Sequence, residues 1–143
     1  MPSITSANAI YMLGVTNLYP APQQLQGFSA DEIFGADPQE IAEAVMGLDG
    51  ILSAGYVFVP IRQHITLQAD SASNDVFDNW VAAQQAQKDV YFGNAIITLP
   101  SLQKKWTMTN GVLATFPPIP DAARTLRPRR YSIVWQVASP APA

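Results

Sequence analysis

The sequence predicts a mainly β domain, a β-sandwich or partly closed barrel of about seven or eight strands with one flanking helix. Three observations carry this. Twelve prolines and eight glycines cut the 143-residue chain into short apolar runs of strand length. Residues 61–69 alternate between apolar and polar with a period of two. One stretch only, 71–89, spaces its apolar residues by three and four. No repeat of about 20–50 residues is visible, so a solenoid is not expected.

Ile4 to Val15 suits a buried strand, with Ala7, Ala9, Tyr11, Leu13 and Val15 on one side. Tyr19-Pro20-Ala21-Pro22 breaks it into a loop, and Gln26 to Phe34 reads as a second, acid-decorated strand. Gln39 to Met46 has helix-compatible residues but is short and ends in Gly47-Leu48-Asp49-Gly50. Asp-Gly between two apolar runs is a hairpin signal, so strand, turn and returning strand Ile51 to Val59 are expected. After Pro60, Ile61, Ile65, Leu67 and Ala69 face inward, while Arg62, His64, Thr66 and Gln68 face outward.

The helix, about 73–89, has Ser73 as its expected cap, Asp75 and Asp78 in its first turn and Lys88 in its last. Its apolar stripe is Val76, Phe77, Trp80 and Val81, continued by Ala83 and Gln84. Ala95 to Leu99 is a further strand. Lys105, Thr107 and Thr109 alternate with Trp106 and Met108 before Asn110-Gly111, a tight turn or a bulge. Pro117 to Pro128 forms an irregular crossing, and a last strand places Tyr131, Ile133, Trp135 and Val137 on one face. One domain therefore spans 1–143, with 138–143 expected as a flexible tail.

Composition limits what this domain does. Charged residues make up 13%, about half the usual share, and 48% are hydrophobic. No apolar run approaches the ~18 residues of a membrane helix, no signal peptide is expected, and no membrane partner is implied. With one histidine and no cysteine, the usual metal and nucleophile constellations are missing. His64 reads as a solvated or interface residue. Asp70, Asp75, Asp78 and Asp89 do not follow calcium-loop spacing. There is no glycine-rich phosphate loop or Gly-x-Ser-x-Gly elbow. No enzyme, catalytic residue, metal or cofactor is expected.

Charge is divided along the chain. Residues 1–89 carry ten acids against Arg62 and Lys88, whereas 90–143 carry six bases against Asp121. Arg127-Pro128-Arg129-Arg130 is a basic run, but an overall charge of -3 argues against a dedicated nucleic-acid binder. An acidic part and a basic part on one small domain favour a head-to-tail contact that closes into rings or runs on as stacks. Apolar loops around Leu18–Leu25 and Phe116–Ile119 would supply affinity, and bare sheet edges would pair with the next subunit. Trp80, Trp106 and Trp135 each fall on the apolar face of their own element, where core packing is expected.

Several segments, in order, carry a family resemblance: Gly47-Leu48-Asp49-Gly50-Ile51-Leu52-Ser53-Ala54-Gly55-Tyr56-Val57, Ile65-Thr66-Leu67-Gln68-Ala69-Asp70-Ser71-Ala72-Ser73, Val76-Phe77-Asp78-Asn79-Trp80, Ile96-Ile97-Thr98-Leu99-Pro100-Ser101, Asn110-Gly111-Val112-Leu113 and Tyr131-Ser132-Ile133-Val134-Trp135. Over about residues 47–137 the chain resembles the tail tube proteins of long-tailed bacteriophages, the contractile-tailed ones foremost. The resemblance implies a virion tail protein, assembled in the host cytoplasm. Six copies would form a ring, and rings would stack into a tube through which genomic DNA passes without sequence-specific binding. The implied partners are further copies of itself, a tail sheath or other tail proteins, and baseplate and neck proteins.

On that reading Tyr19, Leu25, Phe28, Leu48, Asp49, Arg124, Arg127, Arg129 and Arg130 are the candidate subunit interface. Asp31, Glu32, Glu40 and Glu43 are the candidate lumen-facing acids, where carboxylates would repel phosphates. Residues 1–46 carry no resemblance that can be named. This leaves a tube-initiating baseplate ring or a tail terminator as alternatives, with a carbohydrate-binding module using Trp106 or Trp135 behind them.

Overall fold

The computed structural model describes residues 7–29 and 33–142. The elements run β1 (Ile10–Val15), β2 (Tyr19–Gln24), β3 (Phe34–Ala36), β4 (Ala42–Met46), β5 (Leu52–Tyr56), β6 (Ile61–Leu67), α1 (Asn74–Gln87), β7 (Gly93–Leu99), β8 (Lys104–Thr115), β9 (Arg129–Trp135) and β10 (Val137–Pro142). Strands β2-β1-β7-β8-β9-β6-β3 form one antiparallel sheet, with β10 added on β8, while β4 and β5 stand apart as a two-stranded sheet. The chain is mainly β, as expected, and its large sheet stays open.

The long strand β8 gives the sheet its two layers. Its first half, Lys104–Thr109, pairs with β7 and β10, and its second half, Val112–Thr115, pairs with β9. Between the halves Asn110 takes a left-handed φ of 51°, tolerable for asparagine. Gly111 follows because a Cβ there would lie 2.3 Å from the Trp135 ring. The Asn-Gly pair is therefore a bend within one strand. Tyr11, Leu13 and Val15 of β1, Ile65 and Leu67 of β6, and Tyr131, Ile133 and Trp135 of β9 meet between the layers, all essentially without solvent exposure.

Helix α1 closes one side of this core with Val76, Phe77 and Trp80, the expected stripe. Phe77 stacks on Tyr131 with ring centroids 4.1 Å apart. The Trp80 indole N–H donates to the Tyr91 carbonyl at 2.9 Å. Its start differs from expectation: Ser73 makes no capping bond. Its hydroxyl instead accepts the Gln26 amide at 2.7 Å, tying the segment after β2 to the helix. Lys88 lies past the last turn, as a left-handed C-cap.

Gln63 is the polar centre of the core. Its Oε1 accepts the Tyr11 hydroxyl at 2.7 Å and the Trp135 indole N–H at 3.0 Å, linking β1, β6 and β9. Burial pushes the Tyr11 phenol well above its ordinary pKa. Tyr131 is pushed up likewise, against the opposing influence of the Arg129 charge.

Two expected loops are strands. Tyr19–Gln24 pairs with β1 despite Pro20 and Pro22, and Val137–Pro142 pairs with β8 where a frayed tail is expected. Both are edge strands, where a missing proline N–H costs no ladder bond if it faces outward. Of the expected strand over 26–34, residues 26–29 meet β6 through the Phe28–Leu67 bridge, β3 begins at Phe34, and residues 30–32 lie outside the described residues.

Candidate assembly surfaces

Among the described residues the least covered part is the β4–β5 hairpin. Gly47 donates to the Ile51 carbonyl and Gly50 to the Gly47 carbonyl, the latter with a φ of 81° that suits glycine. The Asp49 carboxylate accepts the Ile51 amide at 3.1 Å, so the Asp-Gly turn forms as the sequence predicts. Every residue from 36 to 56 is exposed. The pairing Ala42–Tyr56, Ala44–Ala54 and Met46–Leu52 puts an unbroken apolar row on one face. Phe58 meets Tyr56 edge-on at 4.9 Å. The other face carries Glu43 and Val45 opposite Gly55 and Ser53.

The root of this arm is tethered. His64 Nε2 lies 3.0 Å from Asp37 Oδ1, and its Nδ1 lies 3.0 Å from Ser132 Oγ. The Asp37 amide also donates to the Arg62 carbonyl. Ser132 is buried, so its hydroxyl is closed to an incoming molecule. The Asp-His-Ser chain fastens the segment entering the arm to β6 and β9. Sequence alone put His64 and Thr66 on an outward face, whereas His64 is half-buried with both ring nitrogens partnered and Thr66 is buried.

A second surface lies at the other end of β6 and β9. The loop 117–128 exposes Ile119, Leu126, Arg124 and Arg127. It is stiffened by the Arg127 amide on the Asp121 carbonyl and the Ala122–Leu126 bridge. With Gln68, Ala69 and Asp70 it lines an open hollow of about 660 Å³.

The sequence-derived interface residues are divided by these surfaces. Leu48 and Asp49 form the exposed tip of the arm, and Arg124 and Arg127 the exposed loop. Arg130 is exposed on β9, opposite Thr66. Leu25, however, is core, only 2% exposed. Tyr19 and Phe28 are half-buried against that core, with the Tyr19 hydroxyl accepting from Asn79.

Arg129 is the main correction. It is buried, its guanidinium on the Asp78 carboxylate at 3.0 Å and on the Pro117 carbonyl at 2.9 Å. It also lies over the Phe116 and Tyr131 rings. An arginine that looks like part of a surface run is an internal clamp, because inward and outward positions alternate along β9. Of the candidate lumen acids, Glu40 and Glu43 lie exposed at and beside the foot of the arm, while Asp31 and Glu32 lie outside the described residues.

Trp80 and Trp135 are fully buried, as core packing requires, and Trp106 is half-buried. Trp135 therefore has no face to offer a sugar. Among the described residues no cluster of three or more His, Asp or Glu side chains could hold a metal ion, and no helix is long and apolar enough to cross a membrane.

Comparison with known proteins gives the class of this two-layer β domain: a structural protein of a phage-type tail. The chain belongs to the family described as tail fiber protein gp32, whose model matches residues 2–139. No curated protein matches its sequence.

Solved structures share the fold at low identity. A chain of the anti-feeding prophage baseplate, in a six-fold symmetrised structure, is 11% identical, with a TM-score of 0.65 and coverage of 99% of this chain and 97% of that one. A chain of the anti-feeding prophage tube-terminating cap is 11% identical, with a TM-score of 0.62 over 100% and 93%. One from the sheath/tube terminator of the extracellular contractile injection system PVC is 10% identical, with a TM-score of 0.60 over 99% and 98%.

Proposed function

We propose that the protein is a ring-forming subunit of the tail tube, six copies closing a ring and rings stacking around a channel for DNA. The β4–β5 arm carries this reading. A hairpin with no other strand beside it is marginal in water, and this one holds Val45, Met46, Leu48, Ile51, Leu52, Tyr56 and Phe58 more than half exposed. An apolar surface of that kind marks an interaction site. Both of its edges are unpaired among the described residues and free of proline. The two outer strands of the β2-β1-β7-β8-β10 region, by contrast, carry prolines that cannot donate to a further strand. The arm therefore offers another copy a place to add.

The tail supplies the remaining partners: a sheath or other tail proteins around the tube, baseplate proteins at one end and neck proteins at the other. Exposed Glu40 and Glu43 would give the passing DNA a repelling wall where they face the channel.

A second reading, a ring that initiates or terminates the tube, draws on one comparison. A chain from the PVC sheath-tube complex has a TM-score of 0.54, below the baseplate, cap and terminator chains. Negative-stain electron microscopy of concentrated protein tests both. Hollow tubes with a regular stacking repeat are expected. Single six-fold rings at every concentration would replace the tube by an end ring, and monomers that stay monomeric beside baseplate particles would refute both.

A further inference from the structure

The assembly reading leaves open where the arm binds. We propose that its tip docks into the hollow between residues 68–70 and the loop 117–128 of a second copy. Leu48 would pack on the apolar wall at Leu126, and Asp49 would face Arg124.

The register of sheet pairing places these two features at opposite ends of the molecule. Ile61 pairs with Trp135, where the arm is rooted, and Leu67 pairs with Arg129, where the loop ends. Six residue steps of extended chain separate the two ends by about 20 Å. Arm and receptor therefore do not oppose each other as the halves of a self-complementary contact do. They form a heterologous pair, which propagates head to tail.

Charge matches this polarity. Residues 37–58 carry Asp37, Glu40, Glu43 and Asp49 with no lysine or arginine. Arg124 and Arg127 are exposed, and neither pairs with an acid among the described residues. Asp70 is the acid on the rim of the hollow, and Arg124 is the base that reverses its sign locally. Shape matches as well. Leu48 is fully exposed at the end of a narrow hairpin, and Leu126 is 58% exposed within an open depression. Arg129 acts as a positioning residue, holding Pro117 at the root of the receptor loop against helix α1.

The chain contains no cysteine, so a single engineered pair reports without background. Leu48→Cys and Leu126→Cys would be placed in one chain, assembled, oxidised and run on a non-reducing gel. A disulfide needs its two Cα atoms within about 7 Å, and no arm residue lines the hollow of its own chain. Any bridge at this pair therefore joins two copies. The expected result is a ladder of covalent oligomers, absent from either single-cysteine variant. A mixture of the two single variants should give dimers. Adding Arg124→Glu, which makes the rim wholly acidic opposite Asp49, should lower the cross-link yield about tenfold or more. Tubes or rings in the micrographs with no ladder would overturn this docking and leave the assembly reading standing. Loss of all assembly in the unmodified protein would overturn both.

Discussion

Replacing Arg129 by alanine separates a buried clamp from the surface role its sequence context suggests. The guanidinium gives a charge-assisted bond to the Pro117 carbonyl at 2.9 Å, worth about 1.5–3 kcal/mol. Its pairing with Asp78 is discounted, because that carboxylate is 43% exposed and stays solvated without it; roughly 1 kcal/mol is reasonable. Contact with the Phe116 and Tyr131 rings at 5.6 and 5.4 Å adds about 0.5–1 kcal/mol.

Because these contributions share one side chain, about 3 kcal/mol is expected for Arg129→Ala, a fall in Tm of about 10 °C. Arg127→Ala, on the exposed loop, should stay within about 0.5 kcal/mol of the parent. Arg129→Glu sets a buried carboxylate beside Asp78 and should fail to fold. Urea titration followed by tryptophan fluorescence is a suitable assay, since Trp80 and Trp135 are buried in the core that Tyr131 shares. If Arg129→Ala unfolds at the same urea concentration as Arg127→Ala, the clamp contributes nothing and its assignment is wrong.

Other consequences follow from the buried polar groups. Gln63→Leu leaves the Tyr11 hydroxyl and the Trp135 N–H as buried donors without their partner, at about 1–3 kcal/mol each; thermal melts should show the loss, and an unchanged Tm would mean the two donors find other acceptors. Burial raises the Tyr11 and Tyr131 phenols in the folded state, so above about pH 10 the unfolded chain gives up protons that the fold retains. Stability is then complete below pH 10 and declines above it by about 1.4 kcal/mol per pH unit for each phenol. Urea midpoints across that range, read beside tyrosinate absorbance, would contradict this if both phenols ionised with the fold intact.

Much of the scaffold was legible because it rests on local rules. Alternation at 61–67, the stripe Val76-Phe77-Trp80, the Asp49-Gly50 turn and the Asn110-Gly111 irregularity each follow from geometry that a few neighbouring residues impose. The apolar arm was legible as a hairpin with Leu48 and Asp49 as interface residues, but not as one exposed along its whole length. Its apolar face, Ala42, Ala44 and Met46 with Leu52, Ala54 and Tyr56, is also the pattern of a hairpin packed on a core. What distinguishes the two is that no element among the described residues covers it.

By itself, then, the sequence determined the helix, the Asp49-Gly50 turn, the strands around 10–15, 42–46, 52–56, 61–67, 95–99 and 131–135 and most of their inward-facing residues, since these depend on spacing along the chain. Tertiary structure decided which prolines sit on tolerant edges, as at Pro20, Pro22, Pro140 and Pro142. It also decided which arginine of Arg127, Arg129 and Arg130 points into the core, and which apolar strands lack a cover. Those outcomes depend on what lies across the sheet, often fifty or more residues away, as Asp78 does from Arg129. A charge or a methyl group carries no mark in the sequence of the neighbour that will bury it.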